Sequence, residues 1–573
     1  MSPRIFRSSF PPIDPIKVDL LSHLFSNPKN TPHDKQIYID AVTGAVRTYG
    51  AIIQRTRSLA HGLRSLGVKP LDVVAFFSPN SIDYAITCYA ILGCGAIISP
   101  VSAAYTAQEL SSQLQTCGAK HLIAHSSLLD IAKSAVAFDP SILIIQADGE
   151  RDASGSPTAE TLASTCPASA LVSISPSEAS ERLSFMCFSS GTTGAAKGVM
   201  TTHLNIVANT QQWQLHAPEE STGNITNVSF LPLSHIYGVF IVLIINMLVG
   251  NTTVLLPRFE PELFWSCLAK HRPETVHVVP PIMLLLAKYP NLERWDLSSL
   301  RRITSAAAPL SVELREAVER RFKTLYGTTL VCRQAWGMTE TSPLGALVPV
   351  DRIDKRHTVG NVVSGMEFRV VDPETMRDVD DDPVRGDGST KPGELWCRGP
   401  NVTKGYYRND EATRNGFFRD PAGGEAPWFR TGDIGFIDGD GFVTIVDRIK
   451  EMIKYKGLQV IPSELEGKLL EHPDVEDACV VGIYVDAEAT EVPVGFVVVS
   501  AQAKATSKKG GDKVVTDDVH TWLNARVANH KKLRGGLYIV DAIPKSPSGK
   551  ILRRQLKADL EVKTRKSRGG SKL

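Results

Sequence analysis

Hydroxyl groups, glycines and one lysine are concentrated in residues 189–199, SSGTTGAAKGV. Glycine allows sharp backbone turns in which several N–H groups point into one concavity that can bind an anion. Ser189, Ser190, Thr192 and Thr193 add neutral donors, and Lys197 adds a positive charge. Ordinary surface loops also use Gly, Ser and Thr, but this density of donors around a lysine favours a phosphate-binding loop.

The spacing differs from that of the common phosphate loop G-x-x-x-x-G-K-[ST], which requires glycine before the lysine and Ser or Thr after it. Here Ala196 precedes Lys197 and Gly198 follows it. Apolar runs on both sides of the loop predict strand–loop–strand, with the next helix beginning near His203. The loop therefore belongs to another nucleotide-binding architecture.

Eight further motifs follow in a fixed order along the chain. They are LPLSHIYG at 231–238, SAAAP at 305–309, QAWGMTE at 334–340, GELWCRG at 393–399, TGD at 431–433, DRIK at 447–450, KYKG at 454–457 and PSGK at 547–550. With the loop at 189–199 they make the chain resemble the adenylate-forming (AMP-binding) enzymes, most closely the 4-coumarate–CoA ligase and acyl-CoA ligase branch. The resemblance runs from Tyr38 to Arg554.

This resemblance implies an acid–CoA ligase that uses ATP, Mg²⁺ and CoA. In the family, a small-molecule carboxylic acid attacks the α-phosphate of ATP and gives an acyl-adenylate and pyrophosphate. The thiol of CoA then displaces AMP and forms the thioester. Negative charge develops at phosphorus in the first step, so fixed donors, cations and a metal are needed around it.

The same resemblance implies which residues bind the nucleotide. Glu340 is similar to the carboxylate that binds Mg²⁺, Thr339 to a donor for the α-phosphate, and Asp433 with Arg448 to the ribose site. The loop residues implied to bind phosphate are Ser189, Ser190, Gly191, Thr192, Thr193, Gly194 and Lys197. The residues implied to line the adenine site are Ala307, Ala308, Pro309, Gln334, Ala335, Trp336 and Gly337.

His235 lies in an apolar stretch, where a histidine is more often a packed core residue than a catalytic one. Its place in SHIYG is similar to the family position beside the acyl carboxylate and the CoA entrance, which favours a functional role. Tyr237, Ile241 and Ala306 are implied to line the acyl pocket. Ala306 and Ala335 stand where plant 4-coumarate enzymes carry glycines, so a shorter or narrower pocket is expected.

The remaining implied residues lie near the C-terminus. Lys550 resembles the mobile lysine that bridges the acyl carboxylate and the α-phosphate during adenylation. Lys450 resembles the hinge about which a small domain rotates after pyrophosphate leaves. Lys454 and Gly457 then reach the site in the second pose, with Gly457 leaving room for the pantetheine arm of CoA.

Other functions remain open at this point. The first alternative is a stand-alone adenylation enzyme that passes the acyl group to a carrier protein. Relatives of that kind that activate amino acids carry an aspartate in the segment aligned with residues 233–236, and here that segment is LSHI, without an aspartate. Only 23 residues follow Lys550, which leaves no room for a carrier domain in this sequence. A catalytically inactive scaffold is disfavoured because Lys197, Glu340, Asp433 and Lys550 are all present. A luciferase-type oxygenase uses the same adenylate. Aryl-acetic, benzoic, short-chain or medium-chain fatty, and specialised-metabolite acids are all candidate substrates.

Composition narrows the partners. A net charge of +2 gives no reason to expect nucleic acid. Nine cysteines without a C-x-x-C pair predict reduced thiols and no zinc site. The apolar run at 236–249 is too short to span a bilayer and contains Asn246, so it predicts a buried helix and no transmembrane segment. The last residues, Ser571-Lys572-Leu573, form a peroxisomal import signal, so the expected location is the peroxisome and the expected partner its import receptor.

Two domains must position these groups. Val73–Phe77 and residues 96–99 read as buried strands around a helix at 81–92, an alternation that predicts a doubly wound, mostly parallel α/β sheet. The expected architecture is a large N-terminal domain of stacked α/β sheets, residues 1–447, and a small mobile C-terminal α/β lid, residues 448–573. Residues 148–180 read as a surface linker, and SELE at 463–466 as a capping box that starts a helix.

Overall fold

The computed structural model describes residues 4–190, 196–419, 426–456, 458–485, 490–500, 503–504, 512–546 and 549–560. Three groups of predicted functional residues lie outside these ranges: residues 191–194 of the phosphate loop, Gly457, and the C-terminal tripeptide at 571–573. The helices are Leu20–Phe25, Tyr49–Ser65, Ile82–Gly93, Ala107–Cys117, Leu129–Ala135, Ala159–Thr165, Pro176–Ala179, His203–His216, Pro261–His271, Pro280–Lys288, Val312–Tyr326, Asp410–Gly416, Pro462–Leu470 and Asp512–Asn524, with a composite helix described below.

A six-stranded sheet has five strands before the phosphate loop and one directly after it. Its strands, in spatial order, are Thr201–Thr202, Leu183–Phe185, Ile97–Val101, Val73–Phe77, His121–Ala124 and Leu143–Gln146. All neighbours are parallel except the first pair. Val73–Phe77 is an unbroken apolar run that is buried at every position, as expected for a parallel strand covered on both faces. The predicted mostly parallel α/β sheet is confirmed.

An eleven-stranded mixed sheet carries most of the remaining motifs. The main path, in spatial order, is Phe6–Arg7, Glu367–Val371, Gly393–Arg398, Trp428–Ile437, Phe442–Arg448, Gly360–Val362, Leu344–Leu347, Val331–Gly337, Arg302–Ser305 and Thr275–Val278, while Phe417–Phe418 pairs with Trp428–Ile437. The last three strands of the path are parallel to one another. Their carboxyl ends therefore deliver SAAAP and QAWGMTE to one edge of the sheet.

A four-stranded sheet packs beside a buried composite helix. The strands are Thr226–Ser229, Thr252–Leu255, Gln36–Asp40 and Val46–Thr48. The helix runs through Ile236–Gly238, the π-helical Val239–Ile245 and Asn246–Val249, and every residue from Gly238 to Val249 is buried. This is the buried helix that the sequence predicts. None of the helices in the described part of the chain is long and apolar enough to cross a membrane.

The C-terminal part has its own core, formed by a three-stranded sheet of Val475–Val485, Thr490–Val499 and Leu537–Ile539 against two helices. The chain enters it from Phe442–Arg448, whose last residue Arg448 still pairs with Asp433 in the large sheet. The predicted boundary between residues 447 and 448 thus falls at the end of that strand. A two-stranded hairpin, Ile453–Tyr455 with Leu458–Val460, follows it.

Two local predictions are wrong. Residues 148–180 contain the helices Ala159–Thr165 and Pro176–Ala179, because Thr158 and Ser175 each cap a helix by accepting from an N3 backbone amide. The helix Pro462–Leu470 begins at Ile461 without a side-chain cap. The Ser463 hydroxyl instead donates a hydrogen bond to Asp447, at 3.1 Å, and so joins this helix to the end of the strand Phe442–Arg448, where the chain leaves the eleven-stranded sheet.

Candidate active site

The predicted phosphate loop closes a short hairpin. Phe188–Ser190 and Ala196–Gly198 are antiparallel, and Lys197 lies directly opposite Ser189. Gly198 is packed against Met186, where a Cβ atom would lie 3.0 Å from the sulfur. Two elements of the site, the lysine and the first serine, are therefore fixed by backbone pairing on either side of the loop.

Glu340 lies beside this hairpin. Its buried carboxylate accepts a hydrogen bond from the Ser189 hydroxyl, at 2.9 Å, and a second from the Tyr406 hydroxyl, also at 2.9 Å, and both end on Oε1. The Nζ atom of Lys197 lies 4.8 Å from the centre of the Tyr406 ring. Thr339, which is also buried, shares the 3₁₀ turn Thr339–Thr341 with Glu340 at the end of the strand Val331–Gly337.

This donor set suits Mg²⁺, which prefers hard oxygen ligands and is commonly held by one or two carboxylates together with substrate phosphates. Among the described residues, no group of three or more His, Cys, Asp or Glu side chains could hold a metal by itself. A single carboxylate beside a phosphate loop matches a metal that arrives with the nucleotide. Glu340 would hold it.

The ribose and adenine residues form a second cluster. The indole N–H of Trp336 donates to Asp433 Oδ2 at 2.8 Å, and Arg448 Nε lies 3.0 Å from Asp433 Oδ1. Asp433 is only 3 % exposed. Trp336 fits because Gly345 lacks a side chain, where a Cβ would lie 2.3 Å from the indole. The resemblance implies only an adenine-site role for Trp336, whereas the structure shows that its indole N–H also donates to Asp433, the carboxylate predicted to bind the ribose.

The segment 306–309 turns sharply after the strand Arg302–Ser305. Ala307 has a φ of +73°, in the left-handed region that glycine adopts readily and that most other residues, apart from Asn and Asp, rarely adopt. Gln334 stabilises the end of this turn by accepting the Leu310 backbone N–H at 3.1 Å. A strained turn held from a neighbouring strand is typical of a binding site, and it positions Ala306 and Ala308 at the same sheet edge as Trp336.

His235 lies at the start of the composite helix. It caps the composite helix by accepting the Tyr237 backbone N–H on Nδ1 at 3.3 Å. Burial, followed by the positive charge of Lys550, lowers the pKa of His235 to about 4. Neutral imidazole is therefore the form of His235 expected near pH 7.

Lys550 belongs to the C-terminal part but lies in the site of the large part. Burial and the charge of Arg448 lower its pKa, while the carboxylates of Glu451 and Asp433 oppose that shift. The turn that carries Lys550 packs on the large part through Gly549, where a Cβ would lie 3.0 Å from Val279. His235, Asp433 and Lys550 are thus brought together although they are far apart in sequence.

Lys454 is not brought to this site. It is exposed on the hairpin Ile453–Tyr455, and its backbone N–H donates to Glu491 at 2.8 Å. Lys450, the predicted hinge, is exposed in the turn after Phe442–Arg448. Partial desolvation, followed by the positive charges of Lys197 and Arg554, lowers the pKa of Lys450. The structure therefore presents one of the two predicted lysines, Lys550, to the site.

A buried charged network lies beneath the predicted acyl pocket, and the sequence analysis missed it. The Tyr237 hydroxyl lies 3.1 Å from His277 Nδ1, and His277 Nε2 lies 2.7 Å from Glu220. Arg333 donates to Glu220 at 2.6 Å and to the Thr304 hydroxyl at 3.0 Å. His277 lies between Val276 and Val278, and Arg333 follows Cys332, and such a titratable side chain within a buried strand is the sequence signal that points to them.

This network holds the hydroxyl of Tyr237, one of the residues predicted to line the acyl pocket. His277, Glu220 and Arg333 are at most 3 % exposed, and the charges of His277 and Arg333 hold the pKa of Glu220 low, at about 2, against the effect of burial. The hydroxyl of Tyr237 is therefore held from below. Ile241 is fully packed within the composite helix, while Ala306 and Ala335 are half-buried.

Comparison with known proteins agrees with this geometry. The AMP-binding enzyme family matches residues 24–407, and the AMP-binding enzyme C-terminal domain matches residues 464–550. The chain belongs to the AMP-binding enzyme family. Probable 4-coumarate–CoA ligase 1 of Dictyostelium discoideum is 34% identical over 96% of this chain and 97% of its own length. The 4-coumarate–CoA ligase 4 of Arabidopsis thaliana is 33% identical over 97% of this chain and 95% of its own.

Solved structures share the fold. ATP-bound MatB from Rhodopseudomonas palustris has a TM-score of 0.79 at 24% identity and covers 94% of this chain and 98% of its own. A benzoate CoA ligase from Burkholderia xenovorans LB400 has a TM-score of 0.78 at 24% identity, with 94% and 99% covered. The predicted fold of a large α/β part with a smaller C-terminal part is confirmed, and the family places this AMP-binding enzyme among the AMP-forming acid–CoA ligases.

Proposed function

We propose that this protein converts a carboxylic acid to an acyl-adenylate with ATP and then transfers the acyl group to CoA. The observation that carries the proposal is the position of Lys550, which is half-buried and interacts electrostatically with His235 and with the cluster of Asp433 and Arg448. A cation from the C-terminal part, beside both the ribose-site carboxylate and the neutral histidine, suits a step in which negative charge develops between an acid and a nucleotide.

In the first half-reaction, an oxygen of the acid bonds to the α-phosphorus of ATP, and the bond from that phosphorus to the pyrophosphate oxygen breaks. Bound Mg²⁺ would neutralise phosphate charge, and Glu340 would hold it. Lys197 and the phosphate loop would bind the outer phosphates, while Asp433 would accept hydrogen bonds from the ribose. Lys550 would lie across the reacting carboxylate and α-phosphate.

In the second half-reaction, the sulfur of CoA bonds to the acyl carbon, and the bond to the AMP oxygen breaks. We place Lys454 and Gly457 at the site in this step, after the C-terminal part rotates about Lys450. The exposed position of Lys454, and the half-buried position of Lys550 near Asp433, support this division. Neutral His235 would line the path of the CoA thiol as an uncharged side chain.

We propose an acid with a compact apolar tail as the substrate. Ala306, Ala335 and the fully packed Ile241 narrow the pocket, and the network below Tyr237 fixes its wall. The segment 233–236 carries no carboxylate that could pair with an ammonium group. Burying an unpaired ammonium costs several kcal/mol, so free α-amino acids are expected to be poor substrates.

A panel of acids tests both statements. Purified protein is incubated with ATP, Mg²⁺ and CoA, and AMP release and thioester formation are measured for aryl-acetic, benzoic, cinnamic, short-chain and medium-chain acids, with α-amino acids as controls. CoA-dependent AMP release with at least one compact acid is expected. Pyrophosphate exchange with α-amino acids and with none of the simple acids contradicts the proposed substrate class.

We also propose a peroxisomal location, supported by the last three residues, Ser571-Lys572-Leu573. A fluorescent protein fused to the N-terminus leaves the tripeptide free for the import receptor. Puncta that coincide with a peroxisomal marker are expected, and removal of the last three residues is expected to make the signal diffuse. A diffuse signal from the intact fusion contradicts this location.

A further inference from the structure

A segment outside the predicted motifs, residues 403–407 (TKGYY), lies along both the exit of the phosphate hairpin and the turn that carries Glu340. The Tyr407 backbone N–H donates to the Gly198 carbonyl at 2.8 Å, and Met200 N–H donates to the Gly405 carbonyl at 2.9 Å. On the other side, Thr403 N–H donates to the Glu340 carbonyl at 2.9 Å. The segment therefore joins the phosphate loop to the metal-site turn through the backbone.

Tyr406 is the side chain of this segment that reaches both groups. Its hydroxyl donates to Glu340 Oε1 at 2.9 Å, and its ring lies 4.8 Å from Lys197 Nζ. An ionised carboxylate only accepts hydrogen bonds, so the Tyr406 phenol is the donor in this contact. Serine 189 donates to the same oxygen, and neither hydrogen bond uses Glu340 Oε2.

The direction of Tyr406 is itself fixed. Its backbone N–H donates to the Thr413 hydroxyl at 3.0 Å, at the helix Asp410–Gly416. Gly405 has a φ of +132° and approaches Thr413 so closely that a Cβ would lie 2.6 Å from its methyl group. The aromatic ring packs on Phe417 at a centroid distance of 6.2 Å. A ring held on three sides has little freedom to leave Glu340.

We propose that Tyr406 is a positioning residue for the phosphate and metal site. Its hydroxyl, with Ser189, holds Oε1 of Glu340 and leaves Oε2 available to the Mg²⁺ that Glu340 would hold, and its ring contacts the Lys197 ammonium by a cation–π interaction. This inference rests on the proposed role of Glu340 in Mg²⁺ binding. It assigns separate tasks to the hydroxyl and to the ring of one side chain.

The test separates the two tasks by equilibrium binding. ATP affinity is measured by calorimetry with and without Mg²⁺, and Mn²⁺ binding to the ATP complex is followed by electron paramagnetic resonance. Tyr406→Phe keeps the ring and removes the hydroxyl, Tyr406→Leu removes both, and Tyr407→Phe is the matched control. The control removes a neighbouring hydroxyl from the same segment, and its half-buried side chain contacts Arg408 rather than Glu340.

Tyr406→Phe is expected to weaken the Mg²⁺-dependent part of ATP binding by about tenfold, because a hydrogen bond to a buried charge is lost, and to leave metal-free ATP binding and the KM for the acid unchanged. Tyr406→Leu is expected to weaken metal-free ATP binding as well. In a Glu340→Gln background, Tyr406→Phe is expected to have no further effect on the metal response, which a merely structural role would not predict.

Three results overturn the inference. In the first, Tyr406→Phe binds Mg²⁺–ATP like the wild type while the wild type exchanges pyrophosphate normally, which leaves the proposed function intact. In the second, Tyr406→Phe loses ATP affinity equally with and without Mg²⁺. In the third, the wild type neither responds to Mg²⁺ nor exchanges pyrophosphate, which removes the proposed function together with this role. Melting temperatures of all variants check that each is folded.

Discussion

Substitution of Trp336 is expected to weaken ATP binding, because its indole N–H donates a hydrogen bond to Asp433, the carboxylate proposed to bind the ribose. Trp336→Phe removes the indole N–H that donates to Asp433 Oδ2 at 2.8 Å. Asp433 is 3 % exposed, so water replaces the lost donor poorly, and Arg448 remains as the charged partner at 3.0 Å. A hydrogen bond to a charged group contributes about 1.5–3 kcal/mol, which corresponds to a weakening of about tenfold or more in ATP affinity.

The assay compares the KM for ATP with the KM for the acid in the same preparation. Trp336→Phe is expected to raise the first by about tenfold and to leave the second within about twofold, since the acyl pocket does not use this N–H. Trp295→Phe is the matched control, because that half-buried indole N–H makes no hydrogen bond in the described part of the chain. Unchanged ATP binding in a folded Trp336→Phe protein refutes the positioning of Asp433 by the indole.

Two further predictions concern the buried polar groups. The pKa values of His23, His203, His216 and His235 are lowered to about 4 from 6.5, so the unfolded chain takes up protons below pH 6.5 while the folded chain does not. The stability that these histidines contribute is therefore fully present above pH 6.5 and is lost as the pH falls towards 4, by about 2 kcal/mol per histidine at pH 5. Calorimetric melting temperatures at pH 7, 6 and 5 check this expectation. Melting temperatures that do not change with pH contradict it. His277→Leu removes one hydrogen-bond partner of Glu220, which keeps Arg333, and one partner of the Tyr237 hydroxyl. It is expected to destabilise the protein by about 2–3 kcal/mol and to raise the KM for the acid more than that for ATP. An equal rise in both constants contradicts a role confined to the acyl side.

Much of the scaffold could be predicted because its signals are local. The continuous apolar run Val73–Phe77 can only be a buried strand, and the helix Ile82–Gly93 is buried at every position except Asp83. The capping box at 463–466 failed for a non-local reason, since the Ser463 hydroxyl finds Asp447 in the exit of the large sheet. Local propensity cannot reveal a partner that the tertiary fold supplies.

The site divides in the same way. Lys197, Glu340, Asp433 and Lys550 could be named from motifs. The structure places Lys197 and Glu340 on either side of Tyr406, and Lys550 within electrostatic reach of Asp433. Tyr406 could not, because its partner Glu340 is 66 residues away in the chain and Tyr406 lies in no motif used in the sequence analysis. The Glu220–Arg333 pair, 113 residues apart, was hidden for the same reason. The charge state of His235 also depends on burial, which only the structure shows.

The central claim is that Lys550 serves the adenylation step alone, while Lys454 and Gly457 serve the thioester step. The most direct measurement compares ATP–pyrophosphate exchange with thioester formation from supplied acyl-adenylate, on Lys550→Ala and Gly457→Leu. Lys550→Ala is expected to lose exchange by orders of magnitude, because a cation leaves a charge-developing transition state, and to retain thioester formation. Gly457→Leu is expected to show the reverse. Equal loss of both activities in each folded variant contradicts the claim, since a single arrangement would then perform both steps.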